Sequence, residues 1–301
     1  MHEKFTILVT GANGQLGKEL KAVSANYPQW KFIFCGHHDL DITDENAIHL
    51  CFKLQKINAV INAAAYTAVD KAETETEQTF AVNEKAVAYL AQACTTHNAL
   101  LVHISTDYVF DGTNTTPYLP HEKTRPIGVY GISKWRGEEI LKDDCLKKNL
   151  KAIVVRTSWV FSEFGNNFVK TMLRLMNERP ELKVVADQIG RPTYAFDLAD
   201  ALLKMLQQIS LSSADFFKKK ELKIYHFANS GETNWHGFAS EIARQQGFQG
   251  QVNAIATNEF PTPAKRPAYS VLDTSSFEND FKTDIPTWQN ALQRCMKQLK
   301  K

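Results

Sequence analysis

The chain has 301 residues, of which 44% are apolar, and this is enough to bury one large core or two ordinary ones. Its 35 basic and 33 acidic side chains leave a formal net charge of +2. Because this balance is nearly neutral, no general attraction to nucleic acid or to a membrane surface is expected. The one short basic run, Lys218 to Lys220, is predicted to be a solvated loop.

Cysteine usage indicates the compartment. The five cysteines are odd in number, lie far apart and have no metal-ligand spacing, which is typical of a reducing compartment. No apolar run approaches the roughly 18 residues that a membrane helix needs. The sequence therefore predicts a cytoplasmic protein with no membrane partner, no nucleic-acid partner and no metal-ligand motif.

Short β-branched runs alternate with helical patterns, and this order is typical of a parallel sheet covered by helices. The predicted fold class is α/β, a Rossmann-type doubly wound parallel sheet with a smaller C-terminal substrate-binding portion. The predicted strands are Phe5–Thr10, Lys31–Cys35, Ala59–Ala63, Leu100–Ser105 and Ala152–Thr157, and the clearest predicted helices are Gln15–Ala25, Thr43–Gln55 with Thr43 as its cap, Glu77–Asn98 and Ser133–Leu141.

The loops lengthen after residue 157, and long loops commonly carry recognition. We therefore predict a dinucleotide-binding Rossmann domain over residues 1–157 and a mainly substrate-binding domain over residues 158–301. Residues 224–228 are apolar enough to rejoin the first sheet, so the division need not be clean.

A glycine-rich turn follows the first predicted strand, with Gly11, Gly14 and Gly17 at a Gly-x-x-Gly-x-x-Gly spacing. The first two glycines allow a tight turn and close approach to a pyrophosphate. Gly17 allows the following helix to pack on the strand and to aim its N-terminal N–H groups at the anion. Alone, such a turn also fits an ordinary strand-to-helix connection.

The tip of the second strand bears on the choice of coenzyme. An acidic residue there would bind a ribose 2′-hydroxyl and repel a 2′-phosphate, but this chain has Cys35, Gly36, His37 and His38. NADPH is therefore permitted, while Asp39 or Asp41 nearby could still favour NADH. The two histidines also fit simple exposure to solvent.

Three small residues, Ala63, Ala64 and Ala65, end the third predicted strand. They would leave room for a flat ligand in the crevice where open α/β sheets bind cofactors. Helix packing against small side chains is the alternative interpretation.

Tyr130 and Lys134 are four residues apart, so on a helix both side chains leave the same face. A phenol is a suitable proton donor to a ketone oxygen, and a nearby ammonium group would lower its pKa towards neutrality. Lys134 could also bind the nicotinamide ribose. Thr106, at the end of the fourth strand, could hold the reacting oxygen beside Tyr130. A tyrosine and lysine at this spacing alone would usually mark an exposed helix face.

Together these features resemble the extended short-chain dehydrogenase/reductase superfamily and, within it, the dTDP-4-dehydrorhamnose reductase family. The resemblance extends over nearly the whole chain. It is carried by the segments Thr10–Gly17, Asn62–Glu73, Ser105–Gly112, Tyr130–Lys134, Arg156–Val160, Asn166–Leu173 and Pro261–Pro267.

The resemblance implies reduction of the C4 ketone of dTDP-4-dehydro-β-L-rhamnose to dTDP-β-L-rhamnose by NADPH or NADH. It implies Tyr130, Lys134 and Thr106 as the catalytic group, and it leaves open Mg²⁺ binding and a homodimer. The implied cofactor contacts, together with those from the turn and the strand ends, are Gly11, Gly14, Gln15, Leu16, Gly17, Asp41, Ile42, Ala63, Ala64, Ala65, Tyr66, Thr67, Tyr130 and Lys134. The implied substrate contacts are Thr106, Asp107, Trp159, Asn167 and Arg266.

Two alternatives remain at this point. A non-catalytic regulatory subunit similar to the methionine adenosyltransferase β subunit would keep the dinucleotide fold without turnover. Another nucleotide-sugar reductase or epimerase would use the same acid and cofactor on a different sugar.

Overall fold

The computed structural model describes residues 4–217 and 221–300, apart from the side chains of residues 212–215. The predicted solvated loop at Lys218 to Lys220 lies outside these ranges. The strands are β1 (Thr6–Thr10), β2 (Lys31–Cys35), β3 (Ala59–Asn62), β4 (Leu100–Thr106), β5 (Lys151–Thr157), β6 (Val160–Phe161), β7 (Glu181–Val185), β8 (Ile189–Gly190), β9 (Thr193–Tyr194), β10 (Lys223–His226), β11 (Thr233–Asn234) and β12 (Gln251–Ile255).

The helices surround these strands. They are α1 (Gln15–Val23), α2 (Glu45–Leu54), α3 (Val69–Ala72), α4 (Thr76–Phe80), α5 (Ala86–Thr96), α6 (Val129–Lys148), α7 (Phe168–Glu178), α8 (Ala195–Phe216), α9 (Trp235–Gln246), α10 (Ser275–Phe281) and α11 (Trp288–Leu299).

Within the described ranges, six strands form one parallel sheet in the order β2-β1-β3-β4-β5-β10. This confirms the predicted α/β fold class. The strand order reverses between β1 and β3, and open sheets of this kind bind ligands in the crevice at such a switch point. Because β10 comes from the second half of the chain, the predicted division at residue 158 is kept as a prediction only.

Apolar side chains alternate between the two faces of the sheet, as the pleat requires. Ile7 and Val9 of β1 face a core shared with α1, α8 and α10, whereas Leu8 faces a core shared with α2, α5 and α6. A third core joins α7, α9 and α11 to β7 in the second half of the chain. The sheet is therefore buried on both faces, which explains its continuous apolar strands.

Predicted strand bounds differ from the observed ones by about one residue, but two helix predictions were wrong in detail. The cap of α2 is Asp44, whose carboxylate accepts from the backbone N–H groups of Asn46 and Ala47. The hydroxyl of Thr43 instead donates to Asp41. The single helix predicted over Glu77–Asn98 is divided by a π-helical segment at Ala81–Lys85.

A buried carboxyl group lies where α1 meets the second half of the chain. Glu19 is 1% exposed and accepts a hydrogen bond of 2.6 Å from the hydroxyl of Ser162. Burial raises the pKa of Glu19 to about 8, and the charges of Glu163 and Asp197 act in the same direction. Glu19 is therefore protonated at neutral pH.

We expect Glu19→Gln to stabilise the protein above pH 8 while changing little at pH 4. The wild-type carboxyl is neutral when folded but ionises near its ordinary pKa when unfolded, so the free energy of unfolding falls as pH rises from about 4.5 to 8. The variant lacks this decline and should gain on the order of 3 kcal/mol at pH 8, measured by urea denaturation. Glu178→Gln, in an exposed pair with Arg174, is the control and should leave the pH dependence unaltered. Equal curves for wild type and Glu19→Gln would contradict this account.

Candidate active site

The glycine turn lies at the switch point of the sheet, between β1 and β3. Gly11 has φ +67°, and a Cβ there would lie 2.6 Å from the backbone nitrogen of Ala64. A Cβ on Gly17 would lie 2.3 Å from the carbonyl oxygen of Gly11. Only glycine fits both positions, because the turn packs directly on α1 and on the loop after β3.

The N-terminus of α1 opens at this turn without a side-chain cap. Gly14 is the N-cap residue, and Gln15 begins the helix. Free N–H groups at a helix N-terminus form a site for an anion. The next residue, Leu16, and the predicted cofactor contact Ile42 are both buried in the apolar cores.

The tip of β2 carries the residues connected with coenzyme choice. The carboxylate of Asp39 accepts from the N–H of Gly36 at 2.8 Å. Asp41 accepts from both the N–H and the hydroxyl of Thr43, and these bonds lower the pKa of Asp41. His37 is exposed, with Nδ1 3.7 Å from Asp41. Both carboxylates are therefore engaged in the turn itself.

The loop after β3 is held in place by Asn83, a residue that sequence reasoning missed. The Asn83 side chain accepts from the N–H of Tyr66 at 2.9 Å and donates to the Tyr66 carbonyl at 3.0 Å. It also donates to the hydroxyl of Ser133 on α6 at 3.0 Å. Asn83 belongs to the π-helical segment, a feature frequent at functional sites, and fixes the predicted contacts Ala65 to Thr67 relative to α6.

Tyr130 lies in the first turn of α6, beside the end of β4. Its side chain is hydrogen-bonded to Thr106, and its ring meets the ring of Tyr108 edge to face at a centroid distance of 5.5 Å. Thr106 and Asp107 are both buried, and the Thr106 hydroxyl donates to Asp107 Oδ1 at 3.0 Å. The structure thus brings together Thr106, Asp107 and Tyr130.

The expectation that residues of this chain acidify the phenol was wrong for the ligand-free protein. Burial raises the pKa of Tyr130 to about 12, the hydrogen bond to Thr106 lowers it, and the negative charge of Asp107 raises it. The phenol is therefore fully protonated, which is the state that a proton donor requires.

Lys134 is 1% exposed at the carboxyl end of β4. Its Nζ donates to the carbonyl oxygen of Ile104 at 2.7 Å and lies 3.2 Å from Nε2 of His103. Burial lowers the pKa of Lys134 to about 8, whereas the charge of Glu138 raises it. An ammonium group has three N–H donors, so one has no partner among the described residues.

His103, a second residue missed by sequence reasoning, connects this lysine to the sheet. Its Nδ1 lies 3.0 Å from the amide nitrogen of Asn62, and the hydroxyl of Thr10 donates to Asn62 Oδ1 at 2.7 Å. Burial and the charge of Lys134 hold the pKa of His103 well below its ordinary value. A neutral imidazole therefore stands beside the buried ammonium group.

A buried ion pair fixes the next turn of α6. Glu138 and Arg156 are each 3% exposed and meet at 2.6 Å. The hydroxyl of Ser105 also donates to Glu138 at 2.5 Å. These bonds connect α6 to β4 and β5, which carry the other site residues.

Trp159 has φ +48°, a strained conformation for a non-glycine residue and one that is concentrated at functional sites. Its ring stacks on Trp235 with centroids 3.6 Å apart. Gly190 leaves the space for this ring, because a Cβ there would lie 2.7 Å from it. The pair forms an aromatic surface in the second half of the chain.

Two other predicted substrate contacts already have protein partners. Asn167 caps α7 and donates to Gln15 Oε1 at 2.9 Å, which connects the second half to the glycine helix. Arg266 makes a bidentate pair with Asp70, at 3.1 and 2.9 Å. The clamp on the diphosphate predicted for Arg266 would require this pair to be shared or exchanged.

Searches for a metal centre and for a membrane segment cover the same described residues. Among them, no three or more His, Cys, Asp and Glu side chains are arranged to hold a metal ion. No helix in those ranges is long and apolar enough to cross a membrane.

Comparison with known proteins decides the family. Residues 5–301 match the family model described as the RmlD substrate binding domain. A dTDP-4-dehydrorhamnose reductase of Aggregatibacter actinomycetemcomitans is 41% identical over 95% of this chain and 96% of its own. The chain belongs to the dTDP-4-dehydrorhamnose reductase family.

Solved members of the dTDP-4-dehydrorhamnose reductase family have the same structure. That of Clostridium acetobutylicum superposes with a TM-score of 0.89 at 37% identity, covering 99% of this chain and 100% of its own. That of Bacillus anthracis, solved in complex with NADP, gives 0.87 at 34% identity and covers 98% and 100%. The predicted membership is confirmed.

We expect His103→Phe to weaken NADPH binding and to lower the free energy of unfolding. Phenylalanine keeps the ring volume but leaves Lys134 and Asn62 each without a buried partner, at a cost of about 1–3 kcal/mol per group. Isothermal titration should show an NADPH affinity at least several-fold weaker.

The matched control is His226→Phe. His226 is equally buried on β10, where it contacts Arg156 and the carbonyl of Tyr118 rather than Lys134. This variant should lose stability while keeping its NADPH affinity. Equal NADPH affinities for the two variants would show that His103 does not position Lys134.

Proposed function

We propose that this chain is an NADPH-dependent oxidoreductase that reduces the C4 ketone of dTDP-4-dehydro-β-L-rhamnose to dTDP-β-L-rhamnose, in dTDP-rhamnose biosynthesis. The observation that carries the proposal is the protonated phenol of Tyr130, hydrogen-bonded to Thr106 at the edge where the glycine turn opens. The 41% identity to a reductase over nearly the whole chain supports the same substrate.

The residues at the switch point fit a dinucleotide. The uncapped N-terminus of α1 and the glycine turn suit its pyrophosphate, and Ala63 to Ala65 leave room beside β3. The free N–H of Lys134 suits a ribose hydroxyl. NADPH is favoured over NADH because Asp39 and Asp41 are both engaged within their own turn, and because the Bacillus anthracis relative was solved with NADP.

In the proposed mechanism, bound NADPH supplies the hydride for the ketone carbon. Thr106 and Tyr130 hold the ketone oxygen, and Tyr130 donates its proton to that oxygen as the alcohol forms. Lys134 orients the ribose and so fixes the distance between coenzyme and sugar. Trp159 offers its aromatic face to the C–H groups of the deoxysugar.

Three further predictions from the sequence keep that status. A cytoplasmic location is supported by five free cysteines, of which four are buried. A homodimer and a Mg²⁺ requirement stay open, and the mechanism uses neither of them.

We expect Tyr130→Phe to lose turnover by about 10²–10⁴-fold while binding NADPH as tightly as the wild type, because it removes a proton and leaves the ring. Oxidation of NADPH in the presence of the dTDP-keto sugar measures the first quantity, and fluorescence titration measures the second. A regulatory subunit would show no turnover even as the wild type. Parallel loss of turnover and of NADPH affinity would contradict the role of Tyr130 as the acid.

We expect dTDP to raise the melting temperature more than equal concentrations of UDP or GDP do. A ligand that binds only the folded state stabilises it in proportion to the logarithm of its saturation. This comparison separates the proposed substrate from the UDP-sugar epimerases, whose solved relatives are only 16–17% identical and show the fold alone. Greater stabilisation by GDP or UDP would count against dTDP-4-dehydrorhamnose as the substrate.

A further inference from the structure

Each turnover of the proposed reduction leaves Tyr130 without its proton. This inference therefore rests on the proposed function and asks how the phenol is protonated again. The side chain of Tyr130 is desolvated, and burial raises the pKa of Tyr130 to about 12. A phenolate in this position takes up a proton readily, so a donor connected to it by hydrogen bonds is needed.

Hydrogen bonds connect Tyr130 to a carboxyl group through Thr106. The single O–H of Thr106 is given to Asp107 Oδ1 at 3.0 Å, so in the bond between Tyr130 and Thr106 the phenol must be the donor. Thr106 Oγ1 also accepts from the N–H of Tyr108 at 3.2 Å, which holds it in place. The three side chains form one line from phenol to hydroxyl to carboxylate.

Asp107 is an unusual carboxyl group in this protein. It is 2% exposed, and its Oδ2 has no hydrogen-bond partner among the described residues. A buried polar atom without a partner is rare and requires a reason. Burial raises the pKa of Asp107 to about 6, so this group exchanges its proton near neutral pH.

The surroundings of Asp107 offer hydrogen bonds but no cation in direct contact. Ser270 donates to it, and this bond lowers the pKa of Asp107. The phenols of Tyr108 and Tyr130 face it, and both have their pKa raised by its charge. The nearest charged pair, Arg266 with Asp70, interacts with Tyr108. Lys134 on α6 is engaged instead by Ile104 and His103.

We propose that Asp107 is the proton source that returns a proton to Tyr130 through Thr106. In this step the carboxylic acid of Asp107 gives its proton to Thr106 Oγ1, while the Thr106 hydroxyl gives its own proton to the Tyr130 phenolate. One O–H bond breaks and one forms at each transfer. The products are a neutral phenol and a carboxylate, which is the arrangement seen in the structure, and water reprotonates Asp107 between turnovers.

The direction of this transfer follows from the charges. A phenolate and a carboxylate that share one hydroxyl group repel each other, so ionisation of one favours protonation of the other. The proton moves from the stronger acid, Asp107, to the conjugate base of the weaker acid, Tyr130. A sugar contact alone would require neither the link through Thr106 nor the unpartnered oxygen.

The test is Asp107→Asn, which keeps the size of the side chain and an oxygen that accepts from Thr106, but cannot supply a proton. We expect kcat for the dTDP-keto sugar to fall about 100-fold, with KM within about threefold and NADPH affinity unchanged. Wild-type kcat should decline as pH rises and Asp107 ionises, and this decline should be absent in the variant. A raised KM with an unchanged kcat would show a sugar contact only and would overturn the proposal.

A second variant, Ser270→Ala, leaves Asp107 in place. It removes a hydrogen bond that favours the carboxylate, so the decline of kcat should move to higher pH. A decline at the wild-type pH would overturn the proposal even if Asp107→Asn fails to fold. Wild-type protein without turnover would overturn the proposed function and this inference with it, whereas wild-type turnover with a fully active Asp107→Asn overturns the inference alone.

Discussion

The site depends on the burial of charged groups along the inner face of α6. Lys134 and Glu138 are both almost fully buried, and leaving either charge without a partner would cost several kcal/mol. Arg156 and Ser105 bind Glu138, while His103 and Ile104 bind Lys134. Because these bonds are directional, α6 has one register against β4 and β5. The position of Tyr130, in the first turn of the same helix, follows from that register.

This packing also explains the state of the acid. The cation of Lys134 is engaged by His103 and Ile104, and the groups that act on the phenol of Tyr130 are Thr106 and Asp107. Burial and the negative charge of Asp107 therefore keep the phenol protonated in the ligand-free protein. An enzyme does not alter the equilibrium of its reaction, but its resting protonation state decides which half-reaction it is ready to perform. A protonated phenol is ready to reduce a ketone.

The sequence predicted the parallel strands almost residue by residue, because strands buried on both faces are continuous apolar runs. It predicted α6 only over Ser133–Leu141, whereas the helix covers Val129–Lys148. The reason is that its inner face carries glycine, serine, lysine and glutamate, so apolar periodicity is absent there. Asn83 and His103 were missed for a related reason. Their partners lie 17 to 50 and 31 to 41 residues away, and no local pattern indicates such contacts.

The second half of the chain shows what long-range pairing adds to a predicted contact. Arg266 and Asn167 were both predicted from motifs to meet the substrate, and both are engaged with residues near the cofactor side, Asp70 and Gln15. The first pair is partly exposed, so its net contribution to stability is small and a diphosphate could replace the carboxylate at little cost. Asn167 is bound through both its amide oxygen and its amide nitrogen, and it also caps α7. Exchange of partners is therefore easier at Arg266 than at Asn167, and of the two Arg266 is the better candidate to meet a ligand directly.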